Sequence, residues 1–152
     1  MKKFITVLLL INLIISNANS IEADVFVQST VNRASEVLSK NISREEKING
    51  LKTIAKETVD IIGVGYYSLG STRKVINDNQ KQKYFELFEN YFLKSFASRL
   101  SEYTNPKIEV RSKKVINENY TIVNSVLVST LERPEVKIDW RIYTKNPDSP
   151  LI

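Results

Sequence analysis

Residues 79–103, NQKQKYFELFENYFLKSFASRLSEY, decide the fold, because the apolar period changes directly after them. Phe85, Phe88, Phe92, Phe96, Leu100 and Tyr103 recur at steps of three and four, which keeps them on one face of a helix. Tyr84, Tyr91 and Lys94 widen that face. A helix over the whole stretch spans about 37 Å. Asn77 or Asp78 can cap its start, and Asn105-Pro106 ends it. Beyond the proline the apolar residues alternate. Lys107–Val115 sets Ile108 and Val110 on one face. Tyr120–Thr130 is apolar on both faces, Ile122, Val126 and Val128 on one and Val123 and Leu127 on the other, as a central strand is. Glu135–Tyr143 places Val136, Ile138, Trp140 and Ile142 inward and Lys137, Asp139, Arg141 and Tyr143 outward.

Upstream of the aromatic stretch the period is again helical. Over Ala23–Ser39, Phe26 or Val27, Val31, Ala34 and Leu38 share a face. Ser43 with Glu46 three residues later is a capping box, which starts a second helix. Its apolar residues are Ile48, Leu51, Ile54, Ala55, Thr58 and Ile61 or Ile62, and it is expected to stop near Gly63. Val64–Gly70 reads as a short apolar turn or helix, and Ser71–Ile76 as another short helix. Helices followed by an antiparallel meander give an α+β domain, with the helices packed on one face of the sheet.

The first twenty residues differ in character. Lys2 and Lys3 precede the apolar run Phe4–Ile15, and Ala18 and Ser20 form a small-x-small site before Ile21. We expect residues 1–20 to be a cleaved signal peptide, since the apolar run falls short of the roughly twenty residues that cross a bilayer. Residues 21–152 then form one domain. Loss of Lys2 and Lys3 lowers the basic count from 22 to 20 against 17 acids, so the net charge falls from +5 to +3. Such a mild excess reads as a solvated surface or a weak preference for anionic lipid headgroups, and expected export with no clustered basic stripe speaks against nucleic acid as a partner. The chain has neither Cys nor His, which removes thiol chemistry, Cys-ligated metal and the commonest general base. Glu45 with Glu46, and Glu57 with Asp60, read as helix-face charges. No catalytic residue, metal site or cofactor is expected, and we expect a monomer.

The order of these features resembles the MlaC family, the periplasmic phospholipid-shuttle proteins also called the toluene-tolerance or auxiliary-transport family. The resemblance rests on Phe26-Val27 in the first helix and on Tyr67-Ser68-Leu69-Gly70 after the second. It rests further on the Gln-rich aromatic run Asn79 to Phe92. There Gln80 or Gln82, Phe85 or Phe88, and Tyr91 or Phe92 take the form Q-x-x-x-F-x-x-x-F-x-x-Y. A Trp near the end of the strands also fits. The likeness covers about Ala23 to Ile152, with one departure. Family members continue into one more strand and a helix, whereas this chain stops at Leu151-Ile152 and so reads as C-terminally truncated.

What the resemblance implies is a curved antiparallel sheet and helices enclosing a cone-like apolar cavity for the acyl chains of a phospholipid. It implies a periplasmic carrier that exchanges lipid with an outer-membrane lipoprotein–porin complex and an inner-membrane ABC transporter. Periodicity alone reads the apolar residues as a solid core. The resemblance makes them cavity wall: Phe85, Phe88, Phe92 and Phe96 from the long helix; Val110, Ile122, Val126, Val128, Ile138, Trp140 and Ile142 from the sheet; Leu51, Ile54, Tyr66, Tyr67 and Leu69 from a second side. Tyr66, Tyr67 and Trp140 have polar tips suited to a wet rim or to an ordinary core edge. Arg73, Lys74 and Arg141 read as solvated, or as phosphate contacts at a mouth. Two other readings remain open here: an enzyme acting on a small apolar substrate in the same cavity, and a nonfunctional truncated remnant.

Overall fold

The computed structural model describes residues 21–152. The expected signal peptide lies outside the described residues. Helix α1, Ala23–Ser39, occupies the span its periodicity marks, and Ala23, Val27, Thr30, Val31 and Leu38 are its buried residues. Helix α2, Arg44–Thr58, starts at the capping box. The Glu46 amide donates to Ser43 Oγ at 3.2 Å, and the Ser43 amide donates to Glu46 Oε2 at 2.9 Å. Two of the four orphan amides of the helix start are thereby satisfied.

Helix α2 ends earlier than expected. It stops at Thr58, and Gly63 sits inside a separate helix α3, Ile61–Leu69. Residues 58–60 are held by backbone pairing with the last residue of the chain. The Ile152 amide donates to the Thr58 carbonyl at 2.8 Å, and the Asp60 amide donates to the Ile152 carbonyl at 2.9 Å. Val59 is accordingly extended, with ψ 132°. Asp60 then caps α3, accepting from the Gly63 amide at 2.9 Å. Gly-Val-Gly is the break that short-range rules favour, but tertiary hydrogen bonds set it at Val59.

Gly70 follows α3 with φ 54°, a left-handed conformation suited to glycine, and opens a 3₁₀ turn, Gly70–Lys74. Helix α4, Asp78–Leu100, carries the aromatic stretch. Its start is a second capping box: the Gln80 amide donates to Asn77 Oδ1 at 2.9 Å, and the Asn77 amide to Gln80 Oε1 at 3.0 Å.

Strands β1 (Ile108–Asn117), β2 (Tyr120–Leu127) and β3 (Val136–Tyr143) form an antiparallel sheet in the order β1-β2-β3. Register shifts at Val110/Ser112 and Val115/Asn117 interrupt the β1–β2 ladder, and such bulges increase twist and bend a strand. The register decides which face of β2 meets the helices. Val123 pairs with Trp140, Ser125 with Ile138 and Leu127 with Val136, and directly paired residues share a face. Val123 and Leu127 therefore stand with Ile138 and Trp140. Ile122 and Val126 pair with Arg141 and Lys137 and occupy the opposite, outer face, where Val126 is itself buried. This corrects the expectation that Ile122 and Val126 face the long helix. Both faces of β2 are apolar, so its own sequence does not say which is inner.

Helix α1 lies on β1 and β2, α2 packs on α1 and α4, and α3 packs on α4. The buried apolar residues fall into three clusters. One joins α1 to the sheet through Val27, Val31, Val123 and Ile142. A second joins α1, α2 and α4 through Leu38, Leu51 and Ala97. A third joins α2, α3 and α4 through Ala55, Ile61 and Leu93. No cluster among the described residues contains both α4 and a strand, so the aromatic helix and the sheet stand apart.

At the entrance to α1, Lys113 of β1 donates to Asp24 Oδ1 at 2.8 Å and also to Glu22. The hydrogen bond from Lys113 holds the Asp24 carboxyl below its ordinary range, and the two carboxylates hold Lys113 above its own. For a lowered carboxyl the linked stability is present above the unfolded pKa and is lost as pH falls through the folded one. Carbon-detected NMR titration should find Asp24 among the more acidic carboxyls, and Lys113→Met should return it toward the ordinary value.

Candidate functional site

The gap between α4 and the sheet is a partly open cavity of about 460 Å³, within the roughly 300–1,000 Å³ typical of small-molecule sites. Phe92, Phe96 and Leu100 form its α4 wall; Ile138 and Trp140 of β3, with Ile108 and Leu127, form the sheet wall. Val31, Ala34 and Leu38 of α1 and Leu51, Ile54 and Ala55 of α2 close the sides. Phe92, Phe96, Leu100, Ile138 and Trp140 are only half-buried, although they lie between layers, because one side of each gives onto the void.

Several polar groups at this wall are bonded within the protein. Trp140 Nε1 donates to Ser125 Oγ across the strand pair at 2.7 Å. Thr58 Oγ1 donates to the Ile54 carbonyl at 2.8 Å, and Ser35 Oγ to the Pro106 carbonyl at 3.1 Å. No described side-chain N or O atom is both buried and without a partner. A wall whose polar atoms are satisfied offers nothing to hold water and suits hydrocarbon. Asp139 is the carboxylate among the described lining residues; it is exposed and accepts from Asn124 Nδ2 at 2.7 Å.

Of the residues marked from sequence, Leu51, Ile54, Phe92, Phe96, Ile138 and Trp140 meet at this cavity. The others lie elsewhere. Val110 and Ile142 belong to the core between α1 and the sheet. Ile122 and Val126 are on the outer face, and Val128 follows the end of β2. Phe85 and Phe88 turn toward α3, with Phe85 4.6 Å from the Tyr66 ring. Leu69, at the end of α3, is half-buried and outside the lining, while Tyr66 and Tyr67 line a neighbouring cleft. The α1 residues Val31, Ala34 and Leu38 showed the right spacing, but spacing identifies a buried face and not what that face meets.

The stacked ladder Tyr84, Phe88, Phe92, Phe96 runs along α4 with centroid separations of 5.6, 6.1 and 5.5 Å. Helix α3 rests on its outer end because Gly65 permits a close approach. A Cβ on Gly65 would stand 3.0 Å from Phe85 Cε1 and 3.1 Å from Phe88 Cδ1. Gly65→Val is therefore expected to destabilise the protein by about 1–3 kcal/mol through overpacking. A lowered urea midpoint at unchanged m-value is the sign to seek.

A second cleft, of about 600 Å³, lies between α1 and β1 and is lined by Gln28, Asn32, Lys107, Glu109 and Arg111 among others. It is the larger, but its charges pair with each other, Lys107 to Glu109 at 2.7 Å and Arg111 to Glu109 at 2.8 Å. It has no continuous apolar wall to receive hydrocarbon.

Comparison with known proteins bears on the fold and on the family. The model of the family described as MlaC protein matches residues 28–152. The intermembrane phospholipid transport system binding protein MlaC of Haemophilus influenzae is 25% identical over 130 residues, or 80% of this chain. The chain spans 61% of that relative's length. The solved structure of a phospholipid-binding protein from Ralstonia solanacearum, in complex with a phospholipid, superposes with a TM-score of 0.69. It is 14% identical, and the match covers 86% of this chain and 75% of that one. This likeness shows that the fold is shared.

Proposed function

The chain belongs to the MlaC family, and from that premise we propose that it is a phospholipid carrier and not an enzyme. The acyl chains lie between Phe92 and Phe96 on one side and Ile138 and Trp140 on the other. The observation that carries the reading is the apolar gap between α4 and the sheet.

The physical need is plain. Two acyl chains expose roughly 30 methylenes, and at about 0.8 kcal/mol each their transfer to water costs on the order of 24 kcal/mol. A carrier that offers an apolar wall removes that cost for the methylenes it covers, and no nucleophile or metal is required. The H. influenzae relative is named for intermembrane phospholipid transport, and the R. solanacearum structure holds a phospholipid. Both support the reading. With it go export to the periplasm by residues 1–20 and exchange with an outer-membrane lipoprotein–porin complex and an inner-membrane ABC transporter. Residues 21–152 then act as one lipid-binding domain.

Lipid extraction tests this. Protein purified from the periplasm and examined by native mass spectrometry should carry phospholipid at a fixed stoichiometry. Protein that is folded by circular dichroism yet free of lipid, and that takes none up from vesicles, contradicts the proposal.

A further inference from the structure

A third cleft, of about 500 Å³, abuts the apolar cavity. The two share Val64, Arg141 and Ile152 in their linings. Arg141 is the one basic residue among the described residues lining the cavity; it lies on β3, at one end of the strand order, and its guanidinium stacks on Tyr120 in the adjoining cleft. Arg73, from the 3₁₀ turn after α3, lines the same cleft, together with Tyr66, Tyr67, Tyr120 and Tyr143. Lys74, the neighbouring candidate, is not in the lining.

The electrostatics of the cleft are unbalanced. Arg33, Lys56, Arg111 and Lys113 each pair with a carboxylate. Among the described residues Arg73 and Arg141 are in no such pair, as Arg44, Arg99 and Arg133 also are not; what sets Arg73 and Arg141 apart is that they line one cleft together. Asp60 is the carboxylate of the described lining, and its Oδ1 accepts from the Gly63 amide at 2.9 Å, at the start of α3. The Arg141 guanidinium carbon lies 4.4 Å from the Tyr120 ring centroid, and Tyr120 in turn lies 5.2 Å from Tyr143. Stacking of this kind holds the plane of the guanidinium while leaving its N–H fork free for an anion.

We infer that this cleft seats the phosphodiester of the bound lipid, with Arg141 and Arg73 as its cationic contacts and the tyrosine hydroxyls as added donors. The inference rests on the proposed function and deepens it: the tails occupy the apolar cavity, and the headgroup leaves it at Arg141. Arginine suits the task because its fork matches two phosphate oxygens at once. Both side chains are exposed, so salt screens the contact and the preference should shrink as ionic strength rises.

The test compares two lipids with identical tails, dioleoylphosphatidylglycerol and dioleoylglycerol, by titration of Trp140 emission and by native mass spectrometry. Wild type should hold the phospholipid at least about tenfold more tightly, as expected of charge-assisted bonds. Arg73→Gln with Arg141→Gln should erase that gap, read as the ratio of the two affinities within the variant, and circular dichroism should show that the variant is folded. Arg141→Lys should retain part of the gap. Inorganic phosphate titrated alone separates the two sources of the anion: it should bind far more weakly than the phospholipid. A wild type that does not distinguish the two lipids overturns the inference, even where inorganic phosphate binds. A gap that survives in the double variant overturns it as well. Failure of both lipids to bind instead removes the proposed function, and the inference with it.

Discussion

Ala34→Trp is expected to cost at least about 100-fold in phospholipid affinity while leaving the protein folded. Ala34 lines the cavity from α1 and is half-buried, opposite the α4 and sheet walls. Ala34 sits at the edge of the Leu38, Leu51 and Ala97 cluster and borders the void, so an indole there extends mainly into the cavity and overpacking strain is expected to be small. Its apolar area is gained by the protein and denied to the ligand. Displacing even four methylenes from the wall forfeits about 3 kcal/mol at roughly 0.8 kcal/mol each, or about two decades of affinity. Urea denaturation should show stability equal to or above wild type, and native mass spectrometry should show the lipid-free mass. A clear loss of stability with lipid still bound would mean that Ala34 faces packed side chains.

Ile142→Ala should give the opposite pattern. Ile142 is 0% exposed and belongs to the cluster of Val27, Val31 and Val123 that fixes α1 on the sheet. Removing its side chain loses transfer energy and leaves a hole that the close-packed neighbours fill only in part, about 2–5 kcal/mol. For a domain of this size that is a large part of total stability. Thermal melting should fall by several degrees or more, while lipid affinity of the surviving folded protein changes little, since Ile142 is not in the cavity lining. Together the two variants separate the core that holds the fold from the gap proposed to hold the ligand.

Much of this arrangement could be read from local chemistry. The capping box at Ser43 and Glu46, the aromatic repeat of α4 and the alternation of β3 each follow from short-range rules, and the structure has all three. What could not be read depends on partners far along the chain. The end of α2 moved to Thr58 because Ile152 pairs with the backbone there. The inner face of β2 was set by register with β3, since Ile122 and Val126 are as apolar as Val123 and Leu127. The aromatic face of α4 divided, Phe92 and Phe96 toward the cavity and Phe85 and Phe88 toward α3, because Gly65 lets α3 come close. Periodicity shows which residues avoid water. It does not distinguish a residue that meets another side chain from one that meets a void, and the cavity residues of α1 were missed for that reason.

Trp140 is the single tryptophan of the chain, and it lies in the sheet wall of the cavity, fixed by its bond to Ser125. Its emission therefore reports one position. Phospholipid carrying bromine at the middle of its acyl chains, bound to the purified protein, should quench that emission strongly, because a heavy atom in the gap lies against the indole. Headgroup-brominated lipid of the same tail length should quench it weakly. Bound mid-chain-brominated lipid that leaves Trp140 emission unchanged would place the tails somewhere other than between α4 and the sheet.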